Sequence, residues 1–146
     1  MRSTKRTGGA SAATVEAHRC GVLVVDVDGN VRELLKVALI GHEYQVAGVP
    51  DGREALHYLR SHADTCFILL DLMLPIMDGA SFRQAQLRDR SLAWIPVVVM
   101  SAAVDADRRA HEIGARARLR KPLDRRGAST LRVIGCSKAR LRRWGG

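Results

Sequence analysis

The chain has 146 residues, of which 47% are hydrophobic, and this suits a single folded domain with short tails. No apolar run reaches the roughly 20 residues of a membrane span, no secretory signal is visible, and three isolated cysteines argue against a disulfide framework, so we expect a cytoplasmic protein. The net charge of +9 is concentrated at the two ends of the chain, which suggests basic arms around a nearly balanced middle.

Hydrophobic patterning predicts strands that alternate with helices. We expect residues 1–20 to form a disordered basic arm, because they are rich in small residues and show no hydrophobic periodicity. Apolar runs then mark the strands, and apolar residues three or four apart mark the helices. In chain order the pattern predicts strand 22–25, a helix capped by Asn30, strand 44–49, a helix capped by Asp51, strand 66–70, helix 80–88, strand 95–100, helix 105–113 and a weak strand 117–119.

This alternation predicts an α/β fold with a five-stranded parallel sheet and helices on both faces, because parallel neighbours need long crossover connections. Residues 125–146 follow as a basic tail, in which Leu131, Ile134 and Leu141 could line an irregular fifth helix that two glycines weaken. The tail has one tryptophan for stacking and no recognisable nucleic-acid-binding motif, so specific nucleic-acid binding is not favoured.

Polar side chains follow four of the predicted strands. Asp26 ends the first strand, with Asp28 in the next loop, and Asp71 ends the third. Ser101 ends the fourth strand and Lys121 follows the fifth. The carboxyl ends of parallel strands share one edge of the sheet, so these groups should converge. Two carboxylates suit Mg²⁺, a lysine keeps a neighbouring carboxylate ionised, and the set suits phosphoryl transfer to an aspartate.

Residues 21–124 resemble the receiver domain of two-component response regulators. The matching segments are residues 22–28, 69–79, 95–102 and 114–122. This resemblance implies a flavodoxin-like, doubly wound sheet. It also implies that Asp71 accepts a phosphoryl group from a sensor histidine kinase or a phosphotransfer protein.

The resemblance further assigns roles to the other residues at the strand ends. It implies that Asp26, Asp71 and the backbone carbonyl of Met73 bind Mg²⁺, while Ser101 bonds the phosphoryl group and Lys121 pairs with it. Signalling would follow by contact with an unknown downstream protein, through the face around the fourth helix, fifth strand and tail, which could also carry a homodimer contact. We expect a stand-alone receiver with no enzymatic activity beyond its own phosphotransfer.

The chain departs from the pattern of this family in three places. Val27 stands where the family usually has a second acid beside Asp26, and valine cannot bind a metal. Asp28 could replace that acid only after a local rearrangement, so we expect weakened Mg²⁺ binding. Arg118, three residues before Lys121, replaces an aromatic switch residue whose ring usually rotates. The last helix, finally, is irregular and strongly basic.

Two alternatives remain open. The domain could be a pseudo-receiver, a docking module that works without phosphorylation. Residues 26–29 (Asp-Val-Asp-Gly) also fit the start of haloacid-dehalogenase-type phosphatases, with Asp26 as nucleophile and Asp28 as general acid. Those enzymes need a late acidic pair, and here Asp105 and Asp107 precede the lysine, which is the wrong order.

Overall fold

The structure is a computed structural model that describes residues 20–40 and 44–121. The basic tail, its irregular fifth helix and residues 1–19 of the predicted arm lie outside the described residues. Cys20, the last residue of that arm, is buried and begins the first strand. The elements are β1 (Cys20–Val25), α1 (Gly29–Ile40), β2 (Tyr44–Val49), α2 (Gly52–Arg60), β3 (Thr65–Asp71), α3 (Gly79–Arg88), β4 (Val97–Ser101), α4 (Ala106–Glu112) and β5 (Ala117–Arg120).

The five strands form one parallel sheet in the order β2-β1-β3-β4-β5. The predicted α/β, doubly wound, five-stranded parallel sheet is therefore confirmed. The first strand, β1, lies inside the sheet, with β2 on one side and β3 on the other. The switch point of the topology thus lies between β1 and β3, and ligands of such sheets bind at the carboxyl ends of the strands there.

Helices cover both faces of the sheet, as predicted. Successive side chains of a strand point to opposite faces. On one face Ile68 of β3 lies in a core cluster with Leu59 of α2 and Phe82 of α3. On the other face Phe67 packs in a cluster with Leu35 of α1. Each such buried apolar side chain contributes about 1.5–3 kcal/mol, and β3, buried along its whole length, is the centre of both clusters.

One of the two predicted helix caps is correct and the other is wrong. Asp51 caps α2, and its Oδ1 accepts a hydrogen bond of 2.9 Å from Glu54 N. The helix α1, however, begins at Gly29, so Asn30 lies inside its first turn. The side chain of Asp28 takes the capping position instead and accepts from Asn30 N at 2.9 Å. Both side chains are good caps, and the aspartate two residues earlier starts the helix sooner.

Within residues 20–40 and 44–121, no helix combines the length and the apolar character that crossing a membrane requires.

Candidate functional site

A charged cluster lies at the carboxyl edge of the sheet, beside the switch point between β1 and β3. Asp26 directly follows β1, Asp71 is the last residue of β3, and Lys121 directly follows β5. The Lys121 Nζ atom is 2.6 Å from Asp26 Oδ2 and 3.1 Å from Asp71 Oδ2. One ammonium group therefore bridges the carboxylates of two neighbouring strands, and three of the predicted site residues meet.

Asp26 is the most deeply buried member of the cluster, with no exposed surface. Its Oδ1 atom accepts a hydrogen bond of 2.9 Å from Asp28 N. Its Oδ2 atom accepts no hydrogen bond of good angle from the described residues, although Lys121 Nζ is close. The contact is an ion pair, because opposite charges at this separation attract each other whatever the hydrogen-bond angle. A buried carboxylate oxygen with spare acceptor capacity suits a further cation.

Asp71 is nearly as well covered, since only 9% of its side chain is exposed. Its Oδ1 atom accepts a hydrogen bond of 3.1 Å from Met73 N, and its Oδ2 atom accepts one from Lys121 Nζ. The apolar strand β3 delivers this carboxylate to the sheet edge, where two donors satisfy it. A buried charge without such partners would be strongly destabilising.

The environment of Lys121 keeps it charged. Partial burial lowers the pKa of its ammonium, but the contacts with Asp26 and Asp71 outweigh burial and raise that pKa above the ordinary lysine value. Lys121 N also donates to Ser101 O at 3.1 Å, which extends the pairing of β4 with β5 to the site. The cation is thus held in place by its own backbone as well as by two carboxylates.

Ser101 lies at the same edge, buried at the end of β4. It follows Met100, which pairs with Asp71 in the sheet register. Its Oγ atom accepts a hydrogen bond of 3.1 Å from Ala103 N, so in this conformation the hydroxyl is engaged by the loop that follows it.

Asp28, the possible replacement for the missing acid at Val27, does not join the cluster. Asp28 is exposed and its Oδ1 caps α1. Within the described part of the chain, no three His, Cys, Asp or Glu side chains are grouped to hold a metal ion. The site nevertheless suits Mg²⁺ with fewer protein ligands, because this ion commonly uses one or two carboxylates plus phosphate oxygens and water. Asp26 and Asp71 provide those two carboxylates.

Glycines allow a close approach of backbone around the loop that follows Asp71. A Cβ atom on Gly79, at the start of α3, would lie 2.8 Å from both Asp71 O and the Leu72 Cα. A Cβ atom on Gly52 would lie 2.6 Å from Met77 O, the carbonyl to which Gly52 N donates. Side chains are excluded at both positions, so the loop is pressed against α2 and the end of β3.

The middle of that loop is strained. Ile76 has a φ of 66°, a left-handed conformation that β-branched residues rarely adopt. It is the centre of a three-residue turn in which Met77 N donates to Pro75 O at 2.6 Å. Asp78 then caps α3 and accepts from Ser81 N at 2.8 Å, and that hydrogen bond lowers the pKa of its carboxyl.

Arg118, at the position of the expected aromatic switch, forms an ion pair. Its Nε atom lies 2.7 Å from Asp107 Oδ1 on α4, so β5 and α4 are joined by charge. This hydrogen bond raises the pKa of Arg118 and lowers that of Asp107.

Arg32 is a neighbour of the site that the sequence did not single out. Its Nη1 atom donates to Asp26 O at 2.6 Å. Its aliphatic stem crosses Gly48, where a Cβ atom would lie 3.0 Å from Arg32 Cδ. An arginine in the first turns of a helix resembles any surface charge, and no sequence pattern marks this contact.

The amino-acid sequence matches the response regulator receiver domain over residues 22–130, well over half of the chain. The chain belongs to this family. The receiver is a domain of two-component signalling systems, and it is a signalling module. The strand-end cluster described above lies within the matched region.

The receiver has curated relatives among longer regulators. The DNA-binding response regulator MtrA of Mycobacterium tuberculosis is 33% identical over 91 residues, which cover 62% of this chain and 38% of that protein. The transcriptional regulatory protein CseB of Streptomyces coelicolor is 36% identical over 90 residues, covering 62% of this chain and 37% of that protein. The chain spans less than half the length of these relatives.

Solved receiver structures have the same fold. The chemotaxis protein CheY4 of Vibrio cholerae superposes with a TM-score of 0.73 at 24% identity, covering 80% of this chain and 98% of that one. The signal receiver domain of a histidine kinase from Syntrophus aciditrophicus superposes with a TM-score of 0.69 at 28% identity, covering 85% of this chain and 90% of that one.

Proposed function

We propose that this receiver accepts a phosphoryl group on Asp71 from the phosphohistidine of a sensor histidine kinase or phosphotransfer protein, and then signals by protein contact. The observation that carries the proposal is the bridge that Lys121 makes between Asp26 and Asp71 at the switch point of the sheet. At this edge, Asp71 would provide the phosphoryl acceptor and Lys121 would provide the countercharge.

In the transfer, a carboxylate oxygen of Asp71 forms a bond to phosphorus while the bond from phosphorus to the histidine nitrogen breaks. Phosphoryl transfer depends mainly on positioning and on neutralising charge. Lys121, held charged by its carboxylate neighbours, would stabilise the phosphoryl oxygens. Ser101 would donate its hydroxyl to one of those oxygens after leaving its contact with Ala103 N.

Mg²⁺ would supply further charge neutralisation at the phosphoryl oxygens when it is bound. Asp26, Asp71 and the backbone carbonyl of Met73 would hold it. Val27, which follows Asp26 and is 53% exposed, offers no side-chain oxygen. Weakened affinity for Mg²⁺ is therefore part of the proposal.

Acetyl phosphate with Mg²⁺, followed by intact and peptide mass spectrometry, tests the acceptor. We expect a gain of one phosphoryl group on the peptide that contains Asp71, and none in Asp71→Asn. Asp78→Asn is the matched control, because it changes a nearby acid and asparagine is still a good helix cap. A wild-type protein that gains no mass would leave only a docking function without phosphorylation.

The change Val27→Asp tests the weakened metal site. It restores an acid beside Asp26, and an added charge about 4 Å from the ion can strengthen Mg²⁺ binding by roughly tenfold or more. Isothermal titration with Mg²⁺ measures this. Val37→Asp adds the same charge to an exposed position of α1 and should leave the affinity unchanged. Equal gains in both variants would mean that long-range charge, and not ligation, sets the affinity.

A docking module that works without phosphorylation is the second candidate. The Arg118–Asp107 ion pair favours it, since β5 and α4 are tied by charge where the family has a movable ring. No observation favours the phosphatase alternative. Asp26, its nucleophile, is fully buried and ion-paired, and Asp28, its general acid, caps α1.

A further inference from the structure

Arg32 of α1 has a position that the stability of its helix does not explain. It is the fourth residue of the helix, which begins at Gly29. A cation near the amino terminus of a helix is unfavourable, because the helix dipole is positive there. Arg32 is nevertheless only partly exposed, and its side chain runs past Gly48 of β2 to Asp26, the residue that follows β1.

Two glycines make room for this side chain. A Cβ atom on Gly48 would lie 3.0 Å from Arg32 Cδ and 3.3 Å from Arg32 Cβ, closer than ordinary van der Waals contact. A Cβ atom on Gly29 would lie 3.4 Å from Arg32 Nη2. The aliphatic stem of Arg32 therefore packs against β2, and its guanidinium lies beside the start of α1.

The guanidinium binds the backbone of Asp26. Arg32 Nη1 donates a hydrogen bond of 2.6 Å to Asp26 O, while Asp26 N donates one of 3.1 Å to Val49 O. Asp26 has no exposed surface, so its carbonyl depends on a donor from the protein, and a charged donor makes a strong hydrogen bond. Arg32 therefore satisfies a buried carbonyl and fixes the peptide group that follows Asp26.

The same stretch of backbone sets the direction of the Asp26 carboxylate. Asp28 N, two residues further along, donates to Asp26 Oδ1 at 2.9 Å, and Asp26 Oδ2 lies 2.6 Å from Lys121 Nζ. Rotation of the peptide group that Arg32 holds would move Asp28 N away from Oδ1. The carboxylate would then lose one of the two contacts that direct it toward the centre of the site.

We propose that Arg32 is a positioning residue of the strand-end site. Through Asp26 O it fixes the loop that follows β1, and it thereby holds the Asp26 carboxylate beside Lys121. A misplacement of about 1 Å at a reacting centre can cost a factor of about 100 in rate, so this contact affects phosphotransfer. That consequence rests on the function proposed above, whereas the positioning itself is measurable without a phosphoryl donor.

Hydrogen exchange of the Asp28 amide reports the direction of the carboxylate, because the acceptor of that amide is Asp26 Oδ1. In Arg32→Met, which keeps an apolar stem, this amide should exchange roughly tenfold faster or more, as expected for the loss of a charge-assisted hydrogen bond. The acceleration should not depend on low concentrations of urea, since local opening exposes little surface. An acceleration that grows with urea in parallel with the β3 amides would mean general destabilisation and would overturn the proposal.

Two matched variants complete the exchange experiment. Arg32→Lys keeps a cationic donor of similar reach, and a single bond to a carbonyl does not need the forked geometry of a guanidinium, so slow exchange should be restored. Lys36→Met removes a cation one turn further along α1 and should have no effect. Equal acceleration in all three variants, or an Asp28 amide as slow in Arg32→Met as in the parent, would overturn the proposal.

Labelling with acetyl phosphate and Mg²⁺ measures the consequence for the reaction. Arg32→Met should be labelled on Asp71 roughly tenfold more slowly than the parent, whereas Arg32→Lys and Lys36→Met should be labelled at nearly the parental rate. Equal rates in Arg32→Met and the parent would overturn the role of Arg32 in phosphotransfer. A parent that gains no phosphoryl group would refute the proposed function, and the exchange of the Asp28 amide would still decide whether Arg32 positions Asp26.

Discussion

Lys121 lies between the buried carboxylates of Asp26 and Asp71 and forms an ion pair with each. Removing one partner of a buried ion pair costs about 3–5 kcal/mol, because the other charge is left uncompensated. Lys121 is 21% exposed, so water offsets part of this cost. We expect Lys121→Gln to lower the free energy of unfolding by about 3 kcal/mol in urea denaturation followed by circular dichroism.

The double variant Lys121→Gln/Asp26→Asn is the control, and it should recover part of the loss because one of the unpaired charges is gone. The pH dependence gives a second check. The pKa of Lys121 is raised by folding, so its stabilisation is complete below the ordinary lysine pKa and is lost as the pH rises through the higher folded-state value. Lys121→Gln should therefore show a smaller alkaline loss of stability than the parent. An unchanged alkaline profile would contradict the ion-pair assignment.

Ile76 carries the backbone strain of the loop after Asp71. A left-handed residue with a Cβ atom costs roughly 1–2 kcal/mol, and asparagine tolerates this conformation better than isoleucine. Since Ile76 is 77% exposed, little packing is lost. We expect Ile76→Asn to raise the free energy of unfolding by about 0.5–1 kcal/mol. Ile76→Val keeps the branched side chain and should change nothing, so a gain in both variants would exclude relief of strain.

The start of α3 lies close to the end of β3 because Gly79 has no side chain. A Cβ atom on Gly79 would collide with the backbone of Asp71 and Leu72. Overpacking of this kind costs about 1–3 kcal/mol, so Gly79→Ala should destabilise the protein and slow labelling by acetyl phosphate. Gly21→Ala is the control, because its Cβ atom would meet Thr65 Cα at an ordinary 3.7 Å. Equal losses of stability would point to a general effect of replacing glycine.

The elements themselves could be predicted because each has a simple physical signature. The run of apolar residues in β3 predicts a strand buried on both faces, and the aspartate after it predicts a charged group at the sheet edge. Helix starts were harder, since Asp28 and Asn30 are both good caps and only the path of the chain out of β1 decides between them. Topology thus predicted the meeting of Asp26, Asp71 and Lys121.

The polar interior of α3 could not be predicted in the same way. Phe82 packs in the core, and the spacing of residues within helix 80–88 does not show whether Gln86 or Leu87 is buried beside it. Gln86 is fully buried, while Leu87 is 48% exposed. Arg83 is buried because two carbonyls of the loop before β5, those of Ile113 and Gly114, accept its hydrogen bonds. The sequence of α3 does not show that these carbonyls lie nearby.

Over the whole molecule, the two edges of the sheet are built differently. The carboxyl edge holds the ion pairs of Asp26, Asp71 and Lys121, which suit a signalling site. At the amino-terminal edge, Gln86 and Arg83 form a polar network that joins α3 to the loops before β4 and β5. Hydrogen bonds thus tie α3 to these two loops, whereas apolar side chains pack α3 against the sheet.

Replacing Gln86 should reveal how much that network contributes to the stability of the whole domain. Its Nε2 atom donates to both Leu92 O and Ile95 O at 2.9 Å. Gln86→Met keeps the length of the side chain but leaves those carbonyls and Arg83 Nη1 without this partner. Each buried group left unsatisfied costs about 1–3 kcal/mol, so we expect a loss of at least about 2 kcal/mol in urea denaturation. Gln84→Met on the exposed side of the same helix should be nearly neutral.

The loss should also be visible beyond α3, because the two carbonyls belong to the loop that leads into β4. Hydrogen exchange of the β4 amides, measured under native conditions, should accelerate in Gln86→Met and stay unchanged in Gln84→Met. Faster exchange confined to α3 would mean that the network only anchors its own helix. Acceleration that reaches β4 would mean that the amino-terminal edge, through one amide side chain, helps to hold the strand whose other end carries Ser101.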